Sequence, residues 1–219
     1  MSADALENNK WYKMWKDAPS PLSREVDPNY RKKFAKEILV LLGDVTNKKV
    51  LEFGCGNGIL YENYGFDKAK YVGVDFSDSL LTQFKSSYPD VELHHSPAEE
   101  FKINEKFDLI FSCGMIQYLN LNKLDMHLSN AKKMLNKNGE IILASIPWKP
   151  ARLSYLRNDQ GIEKTSFKLI LSYLKRTFND SMGHWYDMLT IKKLARKHGF
   201  DYTMYGSLHY PYRMHVVLR

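Results

Sequence analysis

The chain has 219 residues, 44% hydrophobic and 26% charged, and its 32 lysines and arginines outweigh 25 aspartates and glutamates to give a formal charge of +7. That length and apolar content fill one substantial core, so a single domain over residues 1–219 with accessory segments is expected rather than two domains. No apolar run approaches the roughly 20 residues that span a bilayer, which excludes membrane insertion by a helix, and two cysteines, Cys55 and Cys113, offer neither a disulfide framework nor metal-ligand spacing.

Two free thiols and no metal are therefore expected. The opening Met1-Ser2-Ala3-Asp4-Ala5-Leu6-Glu7 has neither the basic start nor the apolar stretch of a secretory signal, so a cytoplasmic location is expected. The lysines are scattered rather than gathered in a block, which fits a solvated surface or an acidic small partner before a nucleic acid.

Along the chain, Trp11 and Trp15 lie one helical turn apart beside Tyr12. This aromatic segment, 1–26, is expected either to seal an edge of the core, to form a dimer contact, or to close over a site. Asp27-Pro28 followed by Tyr30, Phe34, Ile38, Leu41 and Leu42 reads as a capped amphipathic helix ending at Gly43. The stretch from Val50 to Phe53 is a short buried-type strand running into Gly54-Cys55-Gly56-Asn57-Gly58. Glycines this close together strip the Cβ atoms from a strand-to-helix turn, so backbone amides can face a ligand. Lys70 to Phe76 is a second strand, ending on Asp75 where dinucleotide folds place a ribose-binding acid. Ser77 caps a helix to Ser87, Val91 to His95 is a third strand, and Lys106 to Ser112 a fourth. Leu121 to Leu135 has helical period, Asn138-Gly139 is a turn, and Glu140 to Ile146 is a fifth strand. After an excursion over 147–186, Thr190 caps a helix that ends at Gly199. Phe200 to Gly206 and Arg213 to Leu218 are two strands joined too tightly for a helical crossover, and so are antiparallel.

Alternating strands and helices of this kind give an α/β fold: a doubly wound, Rossmann-like, seven-stranded sheet, mostly parallel with an antiparallel last strand. NAD-binding domains share the glycine turn, but their third glycine would fall at position 59, which is Ile59.

The run from Glu52 to Gly58, followed by Asp75, resembles motif I and its acidic partner in class I methyltransferases that use S-adenosylmethionine, in their small-molecule branch that acts on quinones, sugars and secondary metabolites. The resemblance implies S-adenosylmethionine as cofactor, S-adenosylhomocysteine as product and no metal. It implies a methionine-side cradle at Glu52, Gly54, Cys55, Gly56 and Gly58, a ribose clamp at Asp75 and an adenine neighbour at Phe76. Ser77 and Ser112 join the cofactor set at the strand ends. In Ser96-Pro97-Ala98-Glu99, Ala98 would offer a backbone amide to adenine and Glu99 would receive its amino group. Tyr12 would reach the cofactor from segment 1–26, as the corresponding segment does in many relatives.

The excursion 147–186 is longer than a compact α/β connection and mixes aromatics with cations, as a substrate lid would. A helix is expected over 165–178. Arg152 and Arg157 are candidates to hold an acidic substrate, because guanidinium groups grip carboxylate and phosphate at two points. Gln117 and Tyr186 are further substrate candidates. Methyl transfer from a sulfonium is an in-line displacement that positioning alone largely accelerates, and a base is needed only for an acceptor that keeps its proton. His184 and Tyr118 are the candidates for that role. The expected activity is methylation of an oxygen or nitrogen on a small, acidic metabolite, by a monomer or homodimer. Alternatives are an RNA methyltransferase, suggested by the basic balance with aromatics, and a non-catalytic S-adenosylmethionine-binding protein.

Overall fold

In the computed structural model, residues 28–67, 70–160 and 182–219 are described. The strands form one seven-stranded sheet of order β3-β2-β1-β4-β5-β7-β6. β1 (Val50–Phe53) and β2 (Tyr71–Asp75) are buried at every residue. That pattern belongs to parallel strands covered on both faces, where apolar runs replace alternation. β1 pairs in parallel with β2 and with β4 (Phe107–Cys113). β2 pairs in parallel with β3 (Glu92–His95) and β4 with β5 (Leu135–Pro147). β7 (Arg213–Leu218) runs antiparallel to both β5 and β6 (Tyr202–Gly206), as the short Pro-containing loop between β6 and β7 requires.

Helices cover the two faces. α1 (Pro28–Leu42), α2 (Ile59–Tyr64) and α3 (Asp78–Ser87) contribute Ile38, Leu42, Tyr61 and Phe84 to one apolar layer. α4 (Leu121–Met134) and α6 (Met188–Lys197) contribute Leu124, Leu128 and Ile191 to the other. Ser77 caps α3 by accepting from the Leu80 amide, as its sequence predicts.

Two local expectations change. Asn138-Gly139 does not end a separate turn. β5 begins at Leu135, opposite Phe107, and the ladder resumes at Leu109 with Glu140, so residues 136–139 bulge against a single partner residue. The cap of α6 is Asp187, whose carboxylate accepts from the Thr190 amide at 2.7 Å. Thr190 therefore supplies the donor rather than the cap, because carboxylates compete well for first-turn amides.

Both ends of the excursion are stitched to the sheet. Lys149 donates to the Tyr186 carbonyl at 2.8 Å, Tyr186 to that of Pro147 at 3.0 Å, and Trp148 to that of Tyr212 at 2.9 Å. A short 3-10 turn and α5 (Arg152–Gln160) follow β5. The helix expected over 165–178 and the aromatic segment with Trp11, Tyr12 and Trp15 lie outside the described residues. No described helix is long and apolar enough to cross a membrane, and both cysteines are free.

Candidate functional site

Open α/β sheets bind ligands beyond the carboxyl ends of their strands, and the glycine turn emerges from β1 there. It is clamped to β2: the Gly54 and Cys55 amides donate to the Val74 carbonyl at 2.7 and 3.2 Å. Gly54, Gly56 and Gly58 have φ of 75, 54 and 86°, a left-handed backbone that other residues adopt only at a cost. A Cβ on Gly54 would stand 2.9 Å from Met115, and one on Gly58 would stand 2.6 Å from the Phe84 ring. At these two positions the missing side chains therefore make room for the protein's own residues as well as shaping the turn. Gly114, beyond β4, has φ +66° and open space where its Cβ would be.

Asp75 closes the turn. Its Oδ2 accepts from the Gly56 amide at 2.9 Å and its Oδ1 from the Ser77 amide at 2.8 Å. The carboxylate is 7% exposed, and burial raises its pKa despite those amides. Each oxygen of an ionised carboxylate has a second acceptor direction, so paired hydroxyls of a ribose fit what remains of its capacity. Phe76 follows half-buried, and its carbonyl is bonded to the His95 ring at 2.8 Å. Ser77 is buried and serves the helix cap and the Asp75 bond.

Glu52 lies on β1 next to this turn, 1% exposed, with the Tyr71 hydroxyl donating to its Oε2. Burial, together with the nearby Asp75 charge, pushes its pKa up to about 8, so the side chain is largely protonated at neutral pH. Burial pushes the Cys55 thiol well up and the Cys113 thiol to about 12, which leaves neither as a nucleophile. Ser112, in register with Phe53, carries a buried hydroxyl without a hydrogen-bond partner among the described residues.

Glu99, expected at the adenine edge, is 3% exposed and turned toward α4, where Lys123 Nζ stands 2.5 Å from Oε1. That ion pair occupies one carboxylate oxygen. Ala98 is half-buried, with its carbonyl bonded to the His127 ring at 3.1 Å.

Beyond β4, Ile116–Tyr118 form one 3-10 turn, and the far end of the excursion docks on it. His184 donates its amide to the Gln117 carbonyl at 2.8 Å. Gly183 has φ +84°, and a Cβ there would be 2.5 Å from that same carbonyl oxygen. The His184 side chain is exposed at the edge of this junction, and partial desolvation lowers its pKa, which keeps the imidazole neutral at pH 7. Tyr118, next to Gln117 in the turn, is half-buried.

Tyr186, a substrate candidate, is buried, and its hydroxyl donates to the Leu119 carbonyl, which ties it to the turn. Arg157 is exposed on α5 and Arg152 is half-buried at its start. The guanidinium that does reach the end of β4 was not anticipated: Arg213 donates to Gln117 Oε1 at 2.9 Å. Its position at the head of an apolar strand gave no signal beyond the preceding Tyr210-Pro211-Tyr212.

Residues 50–139 match a family described as a methyltransferase domain. The chain is 31% identical over 114 residues to a malonyl-[acyl-carrier protein] O-methyltransferase of Bacillus cereus, covering 46% of this chain and 42% of that protein. It is 29% identical over 140 residues to a tRNA U34 carboxymethyltransferase of Ectopseudomonas mendocina, covering 60% of this chain and 43% of that one. The chain thus spans less than half the length of these curated relatives. Among solved structures, an S-adenosylmethionine-dependent methyltransferase from Clostridium acetobutylicum superposes with a TM-score of 0.60 at 15% identity, over 96% of this chain and 98% of that one.

Proposed function

We propose that this chain is a class I S-adenosylmethionine-dependent methyltransferase that methylates an oxygen or nitrogen of a small, acidic metabolite, a reading supported by the match of residues 50–139 to a methyltransferase domain and by the sheet order. The observation that carries the reading is the buried Asp75 carboxylate, held by the Gly56 and Ser77 amides at the mouth of the glycine turn. A pair of hydroxyl donors would complete its hydrogen bonding, and a buried acceptor gains most from being satisfied.

S-adenosylmethionine supplies a methyl carbon on a positively charged sulfur. The chain's own part is to hold the nucleoside through Asp75 and the glycine turn, and to present an acceptor from the side of Gln117 and His184. His184, neutral at pH 7, suits proton removal from a hydroxyl or ammonium acceptor, whereas a carboxylate acceptor would need no base. Glu52 is positioned to exchange its proton for a nearby positive charge, since a cation favours the ionised form of a buried acid.

A second reading has a specific observation behind it: several relatives of the tRNA carboxymethyltransferase type share about 30% identity with this chain over roughly 140 residues. Incubation with methyl-labelled S-adenosylmethionine, offered a small-metabolite extract in one sample and RNA in another, separates the two. Label in an acidic small molecule is the expected result. Label in RNA would replace it with the second reading, and cofactor binding without transfer to either pool would point to a binding protein instead of an enzyme.

A further inference from the structure

We propose that Arg213 is the acceptor-recognition residue, its Nε–Nη2 edge taking a carboxylate of the methyl acceptor at the end of β4. This rests on the methyl-transfer reading above and adds the substrate's anionic group and the residue that reads it.

A guanidinium carries five N–H donors in a planar fork. On Arg213 the Nη1 side is committed to the protein, with bonds to Gln117 Oε1 at 2.9 Å and to the Ser145 carbonyl at 2.5 Å. Among the described residues the other side meets only the Met182 thioether, 3.5 Å from Nη2, and sulfur is a weak acceptor. No carboxylate among the described residues forms an ion pair with Arg213. Partial burial desolvates the cation enough to lower its pKa. A desolvated guanidinium with no counter-ion among the described residues is costly to keep, and it offers the two-point geometry that a carboxylate fills.

The anchoring is built into the sheet. Ser145 sits inside β5 with φ +60°, where the β5–β7 register shifts between Leu143 and Ile146. A non-glycine residue in that region is strained and persists only where its surroundings over-determine it. The peptide groups on both sides of Ser145 are held. The Ser145 amide donates to His215 Nδ1 at 3.2 Å, and His215 Nε2 donates in turn to Glu37 Oε1 at 3.0 Å. The Ser145 carbonyl turns the other way, to Arg213. The strained bulge therefore fixes the fork from β5, while Gln117 fixes it from the turn after β4.

The Tyr210 ring lies 5.8 Å from the guanidinium carbon and stands 5.9 Å from the Tyr212 ring, which is followed at 4.9 Å by Tyr155. An aromatic wall beside a cation suits a flat organic acid.

The test titrates the full chain, saturated with S-adenosylhomocysteine, with four probes: benzoate, phenyl phosphate, benzamide and benzyl alcohol. Benzoate is expected to bind at least tenfold tighter than the two neutral probes and tighter than phenyl phosphate. That preference should disappear in R213Q and weaken in R213K, which keeps the charge but loses the fork. Equal affinity for benzoate and benzamide, a preference for benzoate surviving in R213Q, or no benzoate binding would each overturn the assignment. Tighter phenyl phosphate binding would overturn the carboxylate. S-adenosylhomocysteine affinity is read separately on each variant. Its retention in R213Q reports an intact fold, and its absence from the unaltered chain would sink the methyl-transfer reading while the benzoate titration still decides Arg213. If R213Q alone loses it, R213K decides.

Discussion

The two halves proposed for the site, one for the nucleoside and one for the acceptor, are built in opposite ways. The nucleoside half is made of main chain and one acid drawn from 24 neighbouring positions, 52–75, with Asp75 meeting an amide only 19 residues away. The acceptor half is made of contacts between residues far apart in sequence: Arg213 meets the Gln117 side chain across 96 residues and the Ser145 carbonyl across 68, and Glu37 meets His215 across 178. A local turn depends on backbone conformation, which glycines declare. A long-range cluster depends on which strand ends the topology brings together.

The sharpest way to break this contrast is Asp75→Ala. Losing a buried acceptor for two hydroxyls and two amides is expected to weaken S-adenosylhomocysteine binding by about 2–3 kcal/mol, roughly 30- to 150-fold. Equilibrium dialysis reads this directly, and affinity within threefold of the unaltered chain would remove Asp75 from the pocket. In the acceptor half the comparable test is Gly183→Ala. Its Cβ would press on the Gln117 carbonyl at 2.5 Å, with φ at +84°, so a loss of about 2–4 kcal/mol of stability is expected. A melting temperature unchanged by that methyl group would mean the excursion does not dock on the turn as described.

Glu52 sharpens the comparison through pH. Its folded pKa, about 8, lies above the model-compound value of 4.5, so the folded state binds the extra proton between those limits. The stabilising contribution of the protonated acid is complete below about pH 4.5 and fades as pH rises toward 8. Glu52→Gln should therefore flatten the fall in stability over that window, by about 1–3 kcal/mol at its upper end. Parallel pH profiles for the two proteins would show that Glu52 does not titrate as a buried acid. Ser145→Gly carries the smallest expected effect. Relief of φ +60° against the added freedom of the unfolded chain should leave stability unchanged or raised by up to about 1 kcal/mol. A loss of more than that would show that the serine side chain, rather than the bulge, holds the position.

The same contrast sets what the sequence discloses. The apolar strands, the glycine turn and Asp75 are visible because each is a local pattern, and the short Pro-containing link before Arg213 dictates the reversed last strand. The partner of Glu99 is hidden because an acid next to Ala98 looks the same in sequence whether or not Lys123 stands beside it. The partner of Tyr186 is hidden likewise, since nothing local shows that its hydroxyl will be taken by the Leu119 carbonyl. Arg213 is invisible for the converse reason: an arginine opening a strand acquires meaning only when that strand is laid beside β5. The bulge at Ser145 leaves no trace either, because the residue there is not a glycine.

The central claim is that the glycine turn and Asp75 form a pocket for S-adenosylmethionine, and calorimetric titration of the unaltered chain with S-adenosylhomocysteine and, separately, NADH tests it most directly. The account predicts one S-adenosylhomocysteine bound per chain and no heat from NADH. Saturable NADH binding, or no binding of S-adenosylhomocysteine, would contradict it.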